Sequence, residues 1–337
     1  MHRGQKPLWA IFIAVLFMFQ FSSGRAAAAG SPGDAAASLQ NAMRQYNSGN
    51  FSGAVSTLQV AAIANPNNAE VIYWLGRSYY ELHDYDNAIT NGEKAVELDP
   101  KNSDYHLWLG RAYGGKADRE HSFFLAKKVK KEFEDAVSAN PSNIAARRDL
   151  EEFDLDAPWM VGGNKDEAKA QVEAIAAIDP VQGHLARAAY NAGLKKQDAA
   201  ESEYQQALAA KPKTVDPYFE AASYFLKQNK PAELKAAIDG AAAVNPNDPR
   251  LAYYRGVYGV LSTIDPSHSE QDLKSYLAST PDRSDWPSHA AAREWLGRLY
   301  EAQGKRAEAA EQYRASLQLD PGRKDVKARL EHLEKSK

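Results

Sequence analysis

Few residue patterns in this 337-residue sequence could do chemistry on their own. Gly-x-Ser-x-Gly, His-Glu-x-x-His, the phosphate loop and Gly-x-Gly-x-x-Gly are all missing, so no local motif builds a nucleophile elbow, a zinc helix or a nucleotide cradle. The chain has no cysteine, which removes disulfides, thiolate metal sites, thiol nucleophiles and lipid attachment through Cys. His83, His106, His121, His184, His268, His289 and His332 show no i, i+4 pairing, so no catalytic residue, no metal site and no cofactor are expected.

Three groups hold some promise. Gly162-Gly163-Asn164 before a helix could offer backbone amides to an anion, yet no Lys-Ser/Thr follows. The same residues read as a turn and an Asn164 N-cap, with Glu167 completing a capping box. Lys127-Lys128-Val129-Lys130-Lys131 and Arg147-Arg148 form the densest basic stretch. Glu132, Glu134, Asp135 and Asp149 interleave with it, as on a solvated helix face; the alternative is a partner with acidic groups. Trp159, Met160 and the Phe123-Phe124 pair are apolar enough for a ligand site, or else pack an inserted segment onto the rest of the fold.

The elements that position these residues follow from composition and periodicity. With 44% hydrophobic and 25% charged residues, the chain can bury a large interior, as about two globular units or one elongated array. A net charge of −3 argues against a nucleic-acid binder that relies on bulk positive charge. At the start, Arg3 and Lys6 precede an apolar run from Leu8 to Phe21, and Ala26-Ala27-Ala28-Ala29 follows. Basic start, 14 positions of apolar middle and small-residue exit make a secretory signal over residues 1–29, too short for the roughly 20 residues of a spanning helix. The expected mature chain is exported, periplasmic or secreted, and has no integral membrane segment. Without Arg3, Lys6 and Arg25 it carries 38 basic against 44 acidic groups, a net charge of −6.

Prolines then recur after helix-like segments at 66, 100, 141, 180, 212, 246, 281 and 321, in steps of 34, 41, 39, 32, 34, 35 and 40. Phrases such as Leu98-Asp99-Pro100 and Leu319-Asp320-Pro321 end one helix and turn the chain, because proline lacks an amide proton and disfavours α geometry before it. Between them, Leu75, Tyr79, Leu82, Ala88 and Ala95 recur at helical spacing around the break His83-Asp84-Tyr85-Asp86, which predicts two antiparallel helices per unit.

These residues resemble the tetratricopeptide repeat family. Leu75, Gly76, Tyr79, Tyr85, Ala88 and Ala95 fall on the family's repeat positions, as do Leu296, Gly297, Tyr300, Gly304, Ala309 and Tyr313. Trp-Leu-Gly-Arg-x-Tyr occurs three times, at 74–79, 108–113 and 295–300. The expected fold is all-α, a helical-repeat solenoid of about eight helix pairs (34–68, 69–102, 103–143, 144–182, 183–214, 215–248, 249–283, 288–321), with degenerate central repeats and a capping helix over 322–337. The resemblance implies an open right-handed superhelix. Small residues let paired helices approach and large ones fill the grooves between units. Unit three is longer than the norm, and its second helix is expected to carry the excess.

The resemblance also implies an inner surface lined by the first helix of each unit. Carried over, it comprises Tyr73, Arg77, Tyr80, Leu107, Arg111, Tyr253, Glu294 and Arg298, with Glu301 beside them. Arginine forks and tyrosine rings on one face suit recognition of an extended peptide; alternatively the arginines pair with Glu81, Asp104 and Glu301 inside the array. Leu39 and Met43 stand where family members use Lys and Asn to clamp a C-terminal carboxylate, and with Tyr46 they suggest an apolar entrance or a face covered by a partner. The expected function is a non-enzymatic, exported scaffold for a protein or peptide, in envelope assembly or transport. The alternative is a ligand- or carbohydrate-binding or processing protein centred on Trp159.

Overall fold

The structure, a computed structural model, describes the backbone of residues 32–335 and the side chains from residue 36. The signal assigned to residues 1–29 lies outside them. The described residues form seventeen α-helices and one 3-10 turn, with no strand among them. In order they are α1 (Pro32–Asn47), α2 (Phe51–Ala64), α3 (Ala69–Glu81), α4 (Tyr85–Leu98), α5 (Ser103–Glu120), α6 (Phe123–Ala139), α7 (Ile144–Asp156) and α8 (Lys165–Ile178). There follow α9 (Pro180–Gly193), α10 (Gln197–Ala209), α11 (Asp216–Lys227), α12 (Pro231–Val244), α13 (Arg250–Ser262), α14 (Pro266–Ser279), α15 (His289–Ala302), α16 (Arg306–Leu319) and α17 (Lys324–Lys335).

Local chemistry sets most of the boundaries. The side chains of Asn50, Asn68, Asp84, Asn102, Ser122 and Asn143 each accept from a first-turn amide of the helix they precede, satisfying a donor that the helix cannot. Asn65, Asp99, Asn140, Asn245 and Asp320 stand before prolines and hand their amide back to the carbonyl four residues earlier. Each of those helices ends there. Pro180 behaves differently: it opens α9, and Asp179 closes α8 and caps α9 at once. Within a pair, the chain turns on one left-handed residue, Gly49, His83, Lys195, Asn229 or Gly304.

Consecutive helices pack antiparallel, and odd-numbered helices also touch one another from α1 through α11 and between α13 and α15. First helices therefore crowd onto the inner side of the curve. Close approach within a pair needs small residues: a Cβ on Gly76 would lie 3.2 Å from the Ala88 carbonyl, and one on Gly110 2.5 Å from the Phe133 ring. The largest apolar cluster runs from Leu185 to Leu296, with Phe219 and Tyr254 stacked at 5.2 Å. At the C-terminal end, α17 buries Val326 and Leu333 against Tyr300 and Tyr313, closing the stack with a polar outer face.

Two departures from expectation matter for the site. The excess length of the third pair is shared, with 18 residues in α5 and 17 in α6, rather than confined to the second helix. Secondly, the loop between α14 and α15 crosses back to the first two pairs, where Ser284 reaches Glu81 over a sequence separation of 203. The array curls far enough for the loop joining its seventh and eighth pairs to reach the first two.

Candidate functional site

Three first helices and that returning loop border an open-mouthed cavity of about 1,100 Å³. Helical spacing decides which side chains face it. From α3 come Arg77, Tyr80 and Glu81; from α5, Trp108, Arg111 and Asp118; from α7, Asp149, Glu152, Phe153 and Asp156. The apolar side is built by Phe123, Ala126 and Val129 of α6 with Pro158 and Val161 of the α7–α8 loop, and Arg283, Ser284 and Asp285 close one end.

Arg77 is the hub of the α3 wall. Its guanidinium lies 4.0 Å from the Trp108 ring, 4.4 Å from Trp74, 4.9 Å from Tyr46 and 5.5 Å from Tyr73, a cation held by four aromatic faces. It bonds the Tyr73 and Tyr46 hydroxyls at 3.4 and 3.3 Å. Tyr46 in turn donates to Glu81 at 2.7 Å. Burial pushes the Tyr46 and Tyr73 phenols up, and Tyr80 up to about 12, so all three remain donors at neutral pH. Arg111 makes a two-pronged contact with Asp149 at 2.6 and 3.1 Å.

The charge balance of the cavity is acidic. Glu81, Asp118, Asp149, Glu152, Asp156 and Asp285 oppose Arg77, Arg111 and Arg283. Among the described residues, Asp118, Glu152 and Asp156 enter no ion pair. Surrounding protein, then Asp149 and Asp156, raise the carboxyl pKa of Glu152. Phe123 lines the rim, and outside the mouth Phe124, Trp159 and Met160 stand open to solvent, Phe124 at 71% and Trp159 at 83% exposure. They do not pack the inserted segment down. Lys130 does that instead, reaching the Gly162 carbonyl at 2.7 Å, Glu167 at 2.6 Å and Asp154 at 2.9 Å.

Of the eight residues expected on the inner surface, Arg77, Tyr80 and Arg111 line the cavity, and Tyr73 stands beside them against Tyr105 with ring centroids 4.8 Å apart. The other four correct the expectation. Leu107 is buried in the α5–α6–α7 core, one residue out of phase with Trp108, which does face the cavity. Tyr253 is buried against Tyr254 and Tyr276. Glu294 is buried between Arg298 and Arg323, and Arg298 also reaches Asp325 of α17 at 3.6 Å, so the cap covers the inner face of the last pair. Tyr46, expected at an entrance, is buried, with Arg283 of the same chain 5.5 Å above its ring.

Sequence reasoning missed Trp108, Glu152, Asp156 and the returning loop. Trp108 was legible from the repeated Trp-Leu-Gly-Arg phrase; the loop carried no signal. The basic stretch is mostly consumed internally: Lys131 pairs with Asp135, Arg148 with Glu220 at 2.7 Å, and Arg147 bonds the Pro141 carbonyl. Asn164 caps α8 through the Asp166 amide at 3.0 Å and donates to Glu167 at 2.9 Å, while the neighbouring Gly162 carbonyl serves a cation rather than its amide an anion. His106, Glu132 and Asp135 come close enough to hold a metal ion. Both ring nitrogens of His106 are already engaged, by Glu132 at 2.7 Å and the Pro100 carbonyl at 3.0 Å, an arrangement that suits an imidazolium better than a metal ligand.

A TPR repeat model matches residues 76–116 and a tetratricopeptide repeat model matches residues 271–324. Among solved structures, a thermophilic TPR protein in Thermus thermophilus aligns with 68% of this chain and 99% of its own at 18% identity and a TM-score of 0.46. A tetratricopeptide repeat protein from Parabacteroides merdae aligns with 90% of this chain and 99% of its own at 13% identity and a TM-score of 0.47. The APC/C hetero-tetramer Cut9–Hcn1 aligns with 83% of this chain and 52% of the matched chain, at 15% identity and a TM-score of 0.52; that likeness is one of fold. No curated protein matches the sequence. Among the described residues, no helix is long and apolar enough to cross a membrane.

Proposed function

We propose that this chain, a tetratricopeptide repeat protein, is an exported scaffold that holds an extended segment of a partner protein in the cavity between α3, α5 and α7. Repeats of this kind serve as protein-interaction scaffolds. The observation that carries the site is the cavity itself: about 1,100 Å³, walled by first helices and lined by Tyr80, Trp108, Phe153 and three arginines. Rigid rings supply contact area at little entropic cost. Trp159, Met160, Phe123 and Phe124 extend the apolar surface past the mouth, giving a bound segment a hydrophobic exit.

Export rests on the pattern of residues 1–29, and a role in envelope assembly or transport follows from the compartment it addresses. Sequencing the N-terminus of protein recovered outside the cytoplasm should read from near Gly30. For the site, partner capture by intact chain is compared with Glu152→Arg/Asp156→Arg, two open carboxylates without ion pairs. The control is Glu308→Arg/Glu311→Arg on the outer face of α16. Loss in the first pair and retention in the second support the cavity; the reverse moves the site to the outer surface.

A further inference from the structure

One end of the cavity is already closed by a segment of the chain's own. Between α14 and α15, Pro281 packs against the backbone of Gly49 in the α1–α2 turn. Two residues later, Arg283 lies 5.5 Å above the Tyr46 ring and 5.3 Å from Trp286, with its side chain only 13% exposed. The Ser284 amide and hydroxyl both donate to the Glu81 carboxylate, each at 3.1 Å. Glu81 thus accepts from a backbone amide, a hydroxyl and the Tyr46 phenol together. This is how a groove reads a bound peptide: backbone and side chain of one residue on a buried carboxylate, and a guanidinium over an aromatic ring.

The geometry points to a partner segment in which an arginine is followed by a small hydroxyl residue, for which residues 281–285 are the built-in surrogate. The inference rests on the cavity being the partner site and adds the chemistry of the occupant. Charge complementarity agrees: past the surrogate, Asp118, Glu152 and Asp156 stand without ion pairs, and Trp108 and Phe153 flank them. A segment continuing from the Glu81 subsite toward α7 meets those carboxylates with its next residues, where a basic side chain is favoured and an acidic one repelled. Because the surrogate is tethered, it competes at high effective concentration, and partner binding displaces it from Glu81.

The test uses the full chain and a fluorescent decapeptide copying residues 279–288, read by anisotropy. Two variants release the surrogate from within the loop and leave the Gly49 and Glu81 surfaces intact for the peptide, Arg283→Ala/Ser284→Pro and Pro281→Asp/Arg283→Ala, with helical circular dichroism confirming that both fold. Both should bind the decapeptide with a Kd at least tenfold below that of the intact chain. Alanine in place of the peptide's arginine should weaken binding at least fivefold. Equal binding by intact and released chains, indifference to the arginine, or no binding by any form overturns the inference. If no peptide binds while Glu152→Arg/Asp156→Arg still abolishes partner capture, the cavity stands as the partner site and the surrogate role falls alone.

Discussion

Gly49 and Gly304 occupy the same place in the first and last helix pairs, and alanine at each separates a backbone cost from a contact. Their φ angles are +77° and +72°, the left-handed region in which a Cβ costs about 1 kcal/mol. At Gly304 an added Cβ meets nothing within 4 Å, so Gly304→Ala should lose that amount and no more. At Gly49 the Cβ overlaps that of Pro281 and sits 3.2 Å from its Cα, so the loop must withdraw. Withdrawal breaks both hydrogen bonds from Ser284 to Glu81, which water partly replaces, a further loss of about 2 kcal/mol at roughly 1 kcal/mol each. The extra loss is local and belongs to the docking of residues 281–285. Amide hydrogen exchange across that loop should therefore speed up on the order of 30-fold in Gly49→Ala, since 1.36 kcal/mol is tenfold, and stay unchanged in Gly304→Ala. Equal exchange in the two variants would refute the reasoning.

Other outcomes follow from single groups. Glu151 is 2% exposed, and burial lifts its carboxyl to about 7 from an ordinary 4.5, with Arg148 opposing and Glu152, Glu220 and Asp156 adding to the rise. A raised carboxyl pKa means that folding loses stability as pH climbs through that interval, by up to about 3 kcal/mol. Glu151→Gln should therefore be the more stable chain in urea at pH 8, with the advantage gone at pH 4. The hydrogen bond to Glu132 raises the pKa of His106 against the effect of burial, so its stabilisation is complete below the ordinary histidine range and fades as pH passes the raised value. His106→Gln should cost about 1–2 kcal/mol at pH 6, the deficit should shrink by pH 9, and zinc should not raise the melting temperature of the intact chain. Trp159→Ala should leave stability within about 0.5 kcal/mol, since the side chain is open to solvent, while reducing partner capture.

What the sequence disclosed, and what it hid, divides along contact range. Helix pairs, turns and caps are local: Asn68, Asp84 and Asn102 sit where side-chain capping requires them, and Pro100 and Pro321 follow helix ends. The Trp-Leu-Gly-Arg phrase located the face of α3 and α5 to within one residue. One residue is about 100° of helix, enough to send Leu107 into the core and Trp108 into the cavity. At the last pair, the assignment of Glu294 and Arg298 failed because α17 folds over that face, and Arg323 at its threshold completes the buried pairings. Contact between Ser284 and Glu81 spans 203 residues and depends on the accumulated curl of the array, which no local pattern encodes. Exposure of Trp159 was hidden for the opposite reason, since an apolar residue in an inserted segment is ordinarily packed.

The central claim is that partners bind inside the curl, against α5 and α7, and not on the outer helices. A photo-reactive benzophenone residue at position 152, at the cavity wall, or at position 308, on the outer face of α16, tests it on the full chain in its native compartment. Cross-linking to one partner from position 152, diminished in the presence of the decapeptide and lacking from position 308, is the predicted result. Cross-links to the same partner from position 308 alone would contradict the account.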